Sequence, residues 1–217
     1  MRLVPISILL AGMVCSAQTP SALESDPTGW KDIMPSPSFE GWTRLTFMSS
    51  APLDPVSQWK VDTANHVLLC EGNRGHEWLR YAKELSDAIF HAEFRFTKID
   101  GGKGYNSGVM LRNSADGTVY FQAQAGEEGT GWLFGSSMVE GKAQRFNLRA
   151  VMKENRVKPA GEWNVFEIRA EGPKMTVWVN GGITSEKADL NVLRGFAGLE
   201  AEGFRIEFRN IQLKELK

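Results

Sequence analysis

The sequence predicts an all-β fold in which two antiparallel sheets form a sandwich. Short runs of alternating apolar and polar residues recur along the chain with turn residues between them, as is typical of β-sandwich domains. The composition agrees, because 22 glycines suit tight turns and seven tryptophans suit a core of large side chains. Helical periodicity is scarce, so the pattern does not favour a doubly wound α/β protein.

Strand alternation is clearest in six segments, which are residues 92–96, 108–112, 119–124, 165–170, 175–179 and 205–208. A Glu-Gly-Pro-Lys sequence connects the fourth segment to the fifth, and Asn180 and Gly181 then give the strongest two-residue turn signal. These connections predict an antiparallel meander. The alternating runs 204–208 and 212–216 place the C-terminus in a sheet.

The first 17 residues are typical of a secretory signal peptide. Arg2 supplies the positive charge, residues 3–14 are mainly apolar, and small residues at 15–17 form a cleavage site. No stretch of the chain approaches the roughly 20 apolar residues that a membrane-spanning helix needs. We therefore expect an exported protein, periplasmic or extracellular, without an integral membrane segment after signal cleavage. Lipid attachment through Cys15 is the minor alternative.

Residues 18–38 are rich in Pro and Ser, which indicates a linker or a segment on the domain surface, and a single sandwich domain is expected over residues 39–217. Cleavage after Ala17 would leave Cys70 as the only cysteine, so no internal disulfide is expected. Cys70 ends an apolar run and is expected to be a buried strand residue rather than a catalytic thiol.

The charge balance narrows the classes of partner. The 25 basic and 26 acidic residues include no basic block, so no nucleic-acid partner is predicted. A neutral ligand such as a carbohydrate fits the composition better, because aromatic side chains can stack on sugar rings. Most of the tryptophans are nevertheless expected in the core.

Polar side chains are concentrated on two runs that are expected to be neighbouring strands. Asn106 and Arg112 share one parity of the first run, and Gln122 and Gln124 share one parity of the second. An arginine beside amides suits a hydroxyl-rich ligand, whereas an ordinary solvated sheet face is the simpler interpretation.

A Gly-rich segment, residues 127–135, follows these strands and is expected to be a loop that enters a short strand. It begins with the carboxylates of Glu127 and Glu128 and contains Trp132, and loops on a rigid scaffold often carry binding groups. The polar, basic stretch 136–159 is interpreted as an excursion from the sheet that could cover the site.

A series of short motifs follows in a fixed order over about residues 39–217. The motifs are D-A-I at 87–89, N-S-G-V-M-L-R at 106–112, F-Q-A-Q at 121–124, G-E-W-N at 161–164, V-N-G at 179–181, G-F-A-G-L-E at 195–200 and F-R-N-I at 208–211. In order and spacing they resemble the 3-keto-disaccharide hydrolase family. The resemblance implies a jelly-roll sandwich of the concanavalin A type, with a concave sheet that holds carbohydrate.

The resemblance also implies cleavage of glycosides whose glucose ring carries a ketone at carbon 3. The ketone acidifies the hydrogen on the neighbouring carbon, so a base can remove it, the glycosidic oxygen leaves by elimination, and water is then added. Glu127 or Glu128 would be the base, and Arg112 would stabilise the oxyanion. Asn106, Gln122, Gln124 and Trp132 would bind the sugar.

The chain departs from the family pattern Tyr-Glu-x-Gln-x-x-Asp at one position that matters. Aligned on Gln124, it has Gln122 in place of the Glu, and an amide cannot abstract a proton. An enzyme that uses another carboxylate, such as Glu127, and a non-catalytic carbohydrate-binding module both stay open. His76, followed by Glu77, is the other acid–base candidate, with an exposed loop histidine as the alternative interpretation.

A structural sandwich that mediates protein contacts is the third class of function, and the sequence gives no positive feature for it. The histidines at 66, 76 and 91 are scattered, which argues against a dedicated zinc site. No metal ligands are therefore predicted and the cofactor is unknown, although a divalent cation bound by carboxylates stays open.

Overall fold

The computed structural model describes residues 18–47 and 52–217. The predicted signal peptide, with Cys15, lies outside the described residues. Within them the single α-helix is α1 (Ala22–Ser25), and no helix has the length and apolar character needed to cross a membrane.

Almost all regular structure is β-strand, which confirms the predicted all-β class. In chain order the strands are β1 (Lys31–Asp32), β2 (Trp42–Thr46), β3 (Trp59–Asp62), β4 (Val67–Cys70), β5 (Glu77–Leu85), β6 (Ala88–Phe96), β7 (Asn106–Asn113), β8 (Phe121–Gly126), β9 (Leu133–Val139), β10 (Lys142–Asn147), β11 (Asn164–Glu171), β12 (Lys174–Val179), β13 (Gly182–Lys187), β14 (Gly195–Ala201) and β15 (Ile206–Glu215). A short 3-10 turn, Arg149–Val151, follows β10.

The strands form two antiparallel sheets that pack as a jelly-roll sandwich, as predicted. Sheet I has the order β13-β12-β11-β6-β15-β4-β3, with β1 also paired to β15, and sheet II has the order β10-β9-β8-β7-β14-β5-β2. In sheet II, β14 lies between β7 and β5. Segments that are far apart in sequence are therefore direct neighbours in this sheet.

The core lies between the sheets and is built by the predicted alternation. Phe90 and Phe94 of β6 meet Val109 and Leu111 of β7 and Leu199 of β14, and all five side chains are fully buried. Each such side chain contributes about 1.5–3 kcal/mol relative to exposure to water. The residues between them in sequence point to the opposite face of each sheet.

The opposite face of sheet II carries a second, smaller apolar cluster. Phe47, Trp78, Met110 and Tyr120 form it, and each is buried although it lies outside the sandwich core. The ring centroids of Phe47 and Tyr120 are 5.2 Å apart in an edge-to-face arrangement. The outer face of sheet II therefore carries a buried apolar cluster and is not an ordinary solvated surface.

The N-terminal segment crosses the outer face of sheet I at residues 19–25 and then joins that sheet through β1. The backbone N–H groups of Ala22 and Leu23 donate hydrogen bonds of 2.7 and 3.1 Å to the carboxylate of Glu167, and Ile33 belongs to the core. Glu167 also lies 2.9 Å from Nδ1 of His91. Sheet I therefore contains a buried His–Glu pair beneath the N-terminal segment.

The segment 136–159 is not wholly an excursion from the sheet, because β9 and β10 pair as a hairpin from Val139 and Lys142 to Phe134 and Asn147. The expectation was wrong for residues 136–147. β10 is an edge strand whose residues are mostly exposed, so its sequence lacks the apolar alternation that marks a half-buried strand.

Arg112 is buried at the end of β7, where its backbone is left-handed with a φ of 64°. Its guanidinium donates to the carbonyl oxygens of Ser86 (3.0 Å) and Gly172 (2.7 Å) and forms an ion pair of 2.7 Å with Asp87. These contacts join the turns that follow β5 and β11. The guanidinium thus binds two turns and does not lie beside the amides of β8, where it was expected. The reason is that the left-handed conformation of Arg112 interrupts the alternation of side chains along β7.

Candidate functional site

A cluster of polar side chains crosses the outer face of sheet II. Its members come from the four consecutive strands β8, β7, β14 and β5, on the face that also carries the second apolar cluster. The side chains are those of Gln122 and Gln124 from β8, Asn106 from β7, Glu200 from β14, Glu202 just after β14 and His76 just before β5. Strand pairing brings these residues together across more than half of the chain.

A hydrogen-bonded pair of His76 and Glu200 forms the centre of the cluster. Nε2 of His76 lies 2.7 Å from Oε1 of Glu200. The Glu200 side chain is 1% exposed, whereas that of His76 is 33% exposed. The imidazole is therefore the part of the pair that a ligand can reach, and the carboxylate is buried behind it.

Three amides complete the cluster. Nε2 of Gln122 donates to Oε2 of Glu200 at 2.5 Å, and Nδ2 of Asn106 donates to Oε2 of Glu202 at 2.5 Å. Gln124 in turn donates to the side-chain oxygen of Asn106. Both carboxylates are thus oriented by neutral donors, which fixes their geometry without neutralising their charge.

A glycine makes the contact between Gln122 and Glu200 possible. A Cβ atom placed on Gly108 would lie 2.2 Å from Nε2 of Gln122, so the amide crosses directly over this residue. Any side chain at position 108 would occupy the space of the amide. Gly108 is accordingly part of the site, although it carries no functional group.

Burial changes the proton affinity of the central pair. Loss of hydration raises the pKa of Glu200, and the neighbouring Glu202 charge acts in the same direction, while the hydrogen bond from His76 opposes them. Burial alone would lower the pKa of His76, but the hydrogen bond to Glu200 and the charges of Glu200 and Glu202 outweigh it and raise the pKa. The pair therefore retains a proton to a higher pH than isolated side chains would.

The same groups fit a divalent cation. His76, Glu200 and Glu202 each offer one ligand atom, and the three atoms lie within 4.8 Å of one another. One imidazole and two carboxylates are a donor set used for divalent metals. Among the described residues, one imidazole and two amides are hydrogen-bonded to the two carboxylates, and no lysine or arginine is. In addition, Oε1 of Gln122 is buried without a hydrogen-bond partner.

A cavity of about 280 Å³ adjoins the cluster. Asn106 and Gln124 belong to both, and the rest of its wall includes Glu128, Trp132 and Arg149. The structure thus places four of the predicted sugar-binding or catalytic residues, His76, Asn106, Gln122 and Gln124, in one network. Trp132 lies in the adjoining cavity.

Glu127, predicted as the base, is exposed and accepts a hydrogen bond of 3.1 Å from the backbone N–H of Gly104. It is outside the network, as is Arg112. Sequence reasoning missed Glu200 and Glu202. A signal was present in G-F-A-G-L-E at 195–200, where Glu200 has the parity opposite to the core residues Ala197 and Leu199.

Several solved structures are similar to this chain in fold. Carbohydrate binding module CBM66 of Bacillus subtilis is 14% identical with a TM-score of 0.59, covering 81% of this chain and 96% of that one. A candidate glycosyl hydrolase of Parabacteroides distasonis is 15% identical with a TM-score of 0.61, covering 93% and 100%. A β-1,3-1,4-glucanase from a mouse hindgut metagenome is 7% identical with a TM-score of 0.54, covering 80% and 92%. At these identities the likeness concerns the fold.

No curated protein matches the chain. Residues 29–214, however, match a family described as a 3-keto-alpha-glucoside-1,2-lyase-like domain, in agreement with the resemblance carried by the sequence motifs. The family match and the jelly-roll fold agree with each other and indicate a carbohydrate-active domain. Because the match spans most of the chain, the protein belongs to the family of 3-keto-alpha-glucoside-1,2-lyase-like domains.

Proposed function

We propose that the protein is an enzyme that cleaves 3-keto-glycosides by elimination followed by hydration, with the His76–Glu200 pair handling the proton. The observation that carries the proposal is the buried carboxylate of Glu200 bonded at 2.7 Å to a partly exposed imidazole, beside three amides that suit sugar hydroxyls. A catalytic base needs a pKa tuned toward the working pH, and burial shifts the pKa of Glu200 upward, which is the direction required.

The reaction balances with the consumption of one water. The pair takes the proton from carbon 2, and the electrons form an enediolate with the ketone at carbon 3. The bond between carbon 1 and the glycosidic oxygen then breaks, and that oxygen leaves as an alcohol with the proton. Water adds across the resulting double bond, with hydroxide at carbon 1 and a proton at carbon 2, so that the sum is a hydrolysis.

The position of each residue in the cluster determines its role in the proposed reaction. His76 is the exposed member, so it meets the substrate, and Glu200 stabilises the imidazolium that forms when the proton is taken. Asn106, Gln122 and Gln124 hold hydroxyl groups, and the second amide N–H of Asn106 and of Gln122 offers a neutral donor to the developing oxyanion. Arg112 and Glu127, which were the sequence-based candidates for the oxyanion donor and the base, have no role in this proposal.

The two carboxylates make the cluster negatively charged, whereas an enediolate intermediate requires a positive charge nearby to stabilise it. A divalent cation held by His76, Glu200 and Glu202 would supply that charge by polarising the ketone oxygen. Proton and cation would compete for the same atoms, since metal ligands must be deprotonated. Assays with and without a chelator separate the two uses of the cluster.

The direct test is release of the leaving group from a 3-keto-glucoside by residues 18–217. Glu200→Gln should abolish release, whereas Glu167→Gln should not. Glu167 is a matched control, because it is equally buried and also bonded to a histidine, but on sheet I. Equal rates in the wild type and Glu200→Gln would refute the assignment. Because the signal peptide is predicted, we expect the reaction outside the cytoplasm.

A carbohydrate-binding module is the second candidate function, and one observation favours it. Gln122 stands where the related pattern has a glutamate, so one carboxylate of that pattern is missing here. Calorimetric binding of a 3-keto-glucoside with no release under any metal condition would support this function. Release of the leaving group would exclude it.

A further inference from the structure

The cavity of about 280 Å³ beside the cluster continues the site toward the β8–β9 loop. Asn106 connects the polar cluster to the cavity. Its Nδ2 donates to Glu202 of the cluster and its Oδ1 accepts from Gln124. Asn106 and Gln124 both line the cavity. Asn106 thus lies at the boundary between the cavity and the carboxylates of the cluster.

The far wall of the cavity is an aromatic ring covered by a cation. The guanidinium of Arg149 lies 5.0 Å from the ring centroid of Trp132, and its Nη2 is 3.0 Å from Oε2 of Glu128. Arg149 and Glu128 are 55% and 72% exposed, so their ion pair adds little stability and can be replaced by a ligand. Trp132, at 9% exposed, is held in place.

The position of the ring depends on a close backbone approach. Gly129 has a φ of 150°, and a Cβ atom there would lie 3.1 Å from Cζ3 of Trp132. The loop thus fixes one side of the ring, and the Arg149 guanidinium covers the ring next to the cavity.

We propose that this cavity binds the leaving group of the substrate. The proposal rests on the proposed function, since it assigns the part of the glycoside that departs from carbon 1. The volume of the cavity is at the small end for ligand sites and is sufficient for a single sugar or aryl ring. The leaving group contacts the wall formed by Trp132 and Arg149, and Arg149 exchanges Glu128 for oxygen atoms of the ligand.

The test compares two substrates that differ only in the leaving group, methyl 3-keto-glucoside and a 3-keto-disaccharide. Trp132→Ala and Arg149→Ala should raise KM for the disaccharide about tenfold, with less than about a twofold change for the methyl glycoside. Trp178→Ala and Arg169→Ala are matched controls, because both residues lie on sheet I, and they should change neither value.

The two substrates also separate this proposal from the proposed function. Equal effects of Trp132→Ala on both glycosides, or no effect on either, would overturn the leaving-group site while leaving the cleavage reaction in place. Arg149→Ala keeps the test sound if Trp132→Ala does not fold, since Arg149 is at the surface. If the wild type releases no leaving group, calorimetry measures the affinity of the wild type and of Trp132→Ala for each glycoside. A loss of affinity in Trp132→Ala for the disaccharide alone supports the site, and the absence of such a loss refutes it.

Discussion

Glu200 Oε1 and His76 Nε2 are 2.7 Å apart, although 124 residues separate them in the chain. The contact exists because β14 pairs with β5, which aligns Glu200 with Trp78 two residues beyond His76. A second buried pair, His91 and Glu167, lies on sheet I beneath the N-terminal segment. The molecule thus contains one His–Glu pair open to ligand and one closed by its own chain, and this contrast supplies internal controls.

Glu200→Gln should lower kcat/KM for a 3-keto-glucoside by about 100-fold or more, because the imidazole loses the charge that stabilises its protonated form. Steady-state kinetics of the wild type, Glu200→Gln and Glu167→Gln give the comparison. A similar loss in Glu167→Gln, with both variants folded by circular dichroism, would mean that the effect is structural.

Gly108→Ala should disrupt the site without touching any functional group, since the new methyl group would overlap the Gln122 amide. We expect a fall in kcat/KM of about tenfold, the scale of one lost charge-assisted hydrogen bond. In a double-mutant cycle, Gly108→Ala and Gln122→Ala should be non-additive. Additive losses would show that the glycine acts elsewhere.

The central pair should make stability fall as pH rises in metal-free buffer. The pKa values of His76 and Glu200 are both raised in the folded state, so the folded protein binds more protons, and this contribution is lost as pH increases through the folded-state pKa values. Urea denaturation between about pH 5 and about pH 8 should show a smaller decline for Glu200→Gln than for the wild type, because this variant removes one raised pKa and also the partner that raises the pKa of His76. Parallel curves would contradict the assigned directions.

A divalent cation should reverse that dependence. The ligand atoms must be deprotonated, so Mn²⁺ or Zn²⁺ should raise the Tm more at about pH 8 than at about pH 5.5. Saturation at 100 times the Kd would add about 2.7 kcal/mol. Glu202→Gln should remove most of the gain, whereas Glu207→Gln on sheet I should keep it, and an equal gain in both variants would exclude binding at this cluster.

Arg112→Ala should destabilise the fold by about 3–5 kcal/mol, because it leaves the Asp87 carboxylate and two carbonyl groups without their donor. Thermal denaturation measures the loss. The kcat of the protein that remains folded should be unchanged, and a selective loss of kcat at full stability would restore the catalytic role inferred from sequence.

Cys70 should be unreactive in the native protein. The thiol is buried at the end of β4, and burial raises its pKa to about 12. Because the thiolate is the reactive form, a disulfide reagent at about pH 8 should label it only after denaturation. Immediate labelling of the folded protein would contradict this.

Local sequence patterns could predict part of this architecture. Alternation on β7 and β8 correctly grouped Asn106, Gln122 and Gln124, because these strands are neighbours in both sequence and space. The place of Glu200 depends on the insertion of β14 between β7 and β5, which no local pattern specifies. Arg112 was misplaced because one left-handed residue, with a φ of 64°, interrupts the parity on which the prediction relied.

The insertion of β14 between β7 and β5 also has a consequence for biosynthesis. Three of the four strands that supply the polar cluster are synthesised well before the fourth, which brings Glu200, and β15 of the opposite sheet is still to follow. A nascent or truncated chain that ends before residue 195 would contain His76 and the amides but no carboxylate to orient the imidazole. The His76–Glu200 pair can therefore form only after β14 has been synthesised and has inserted between β7 and β5.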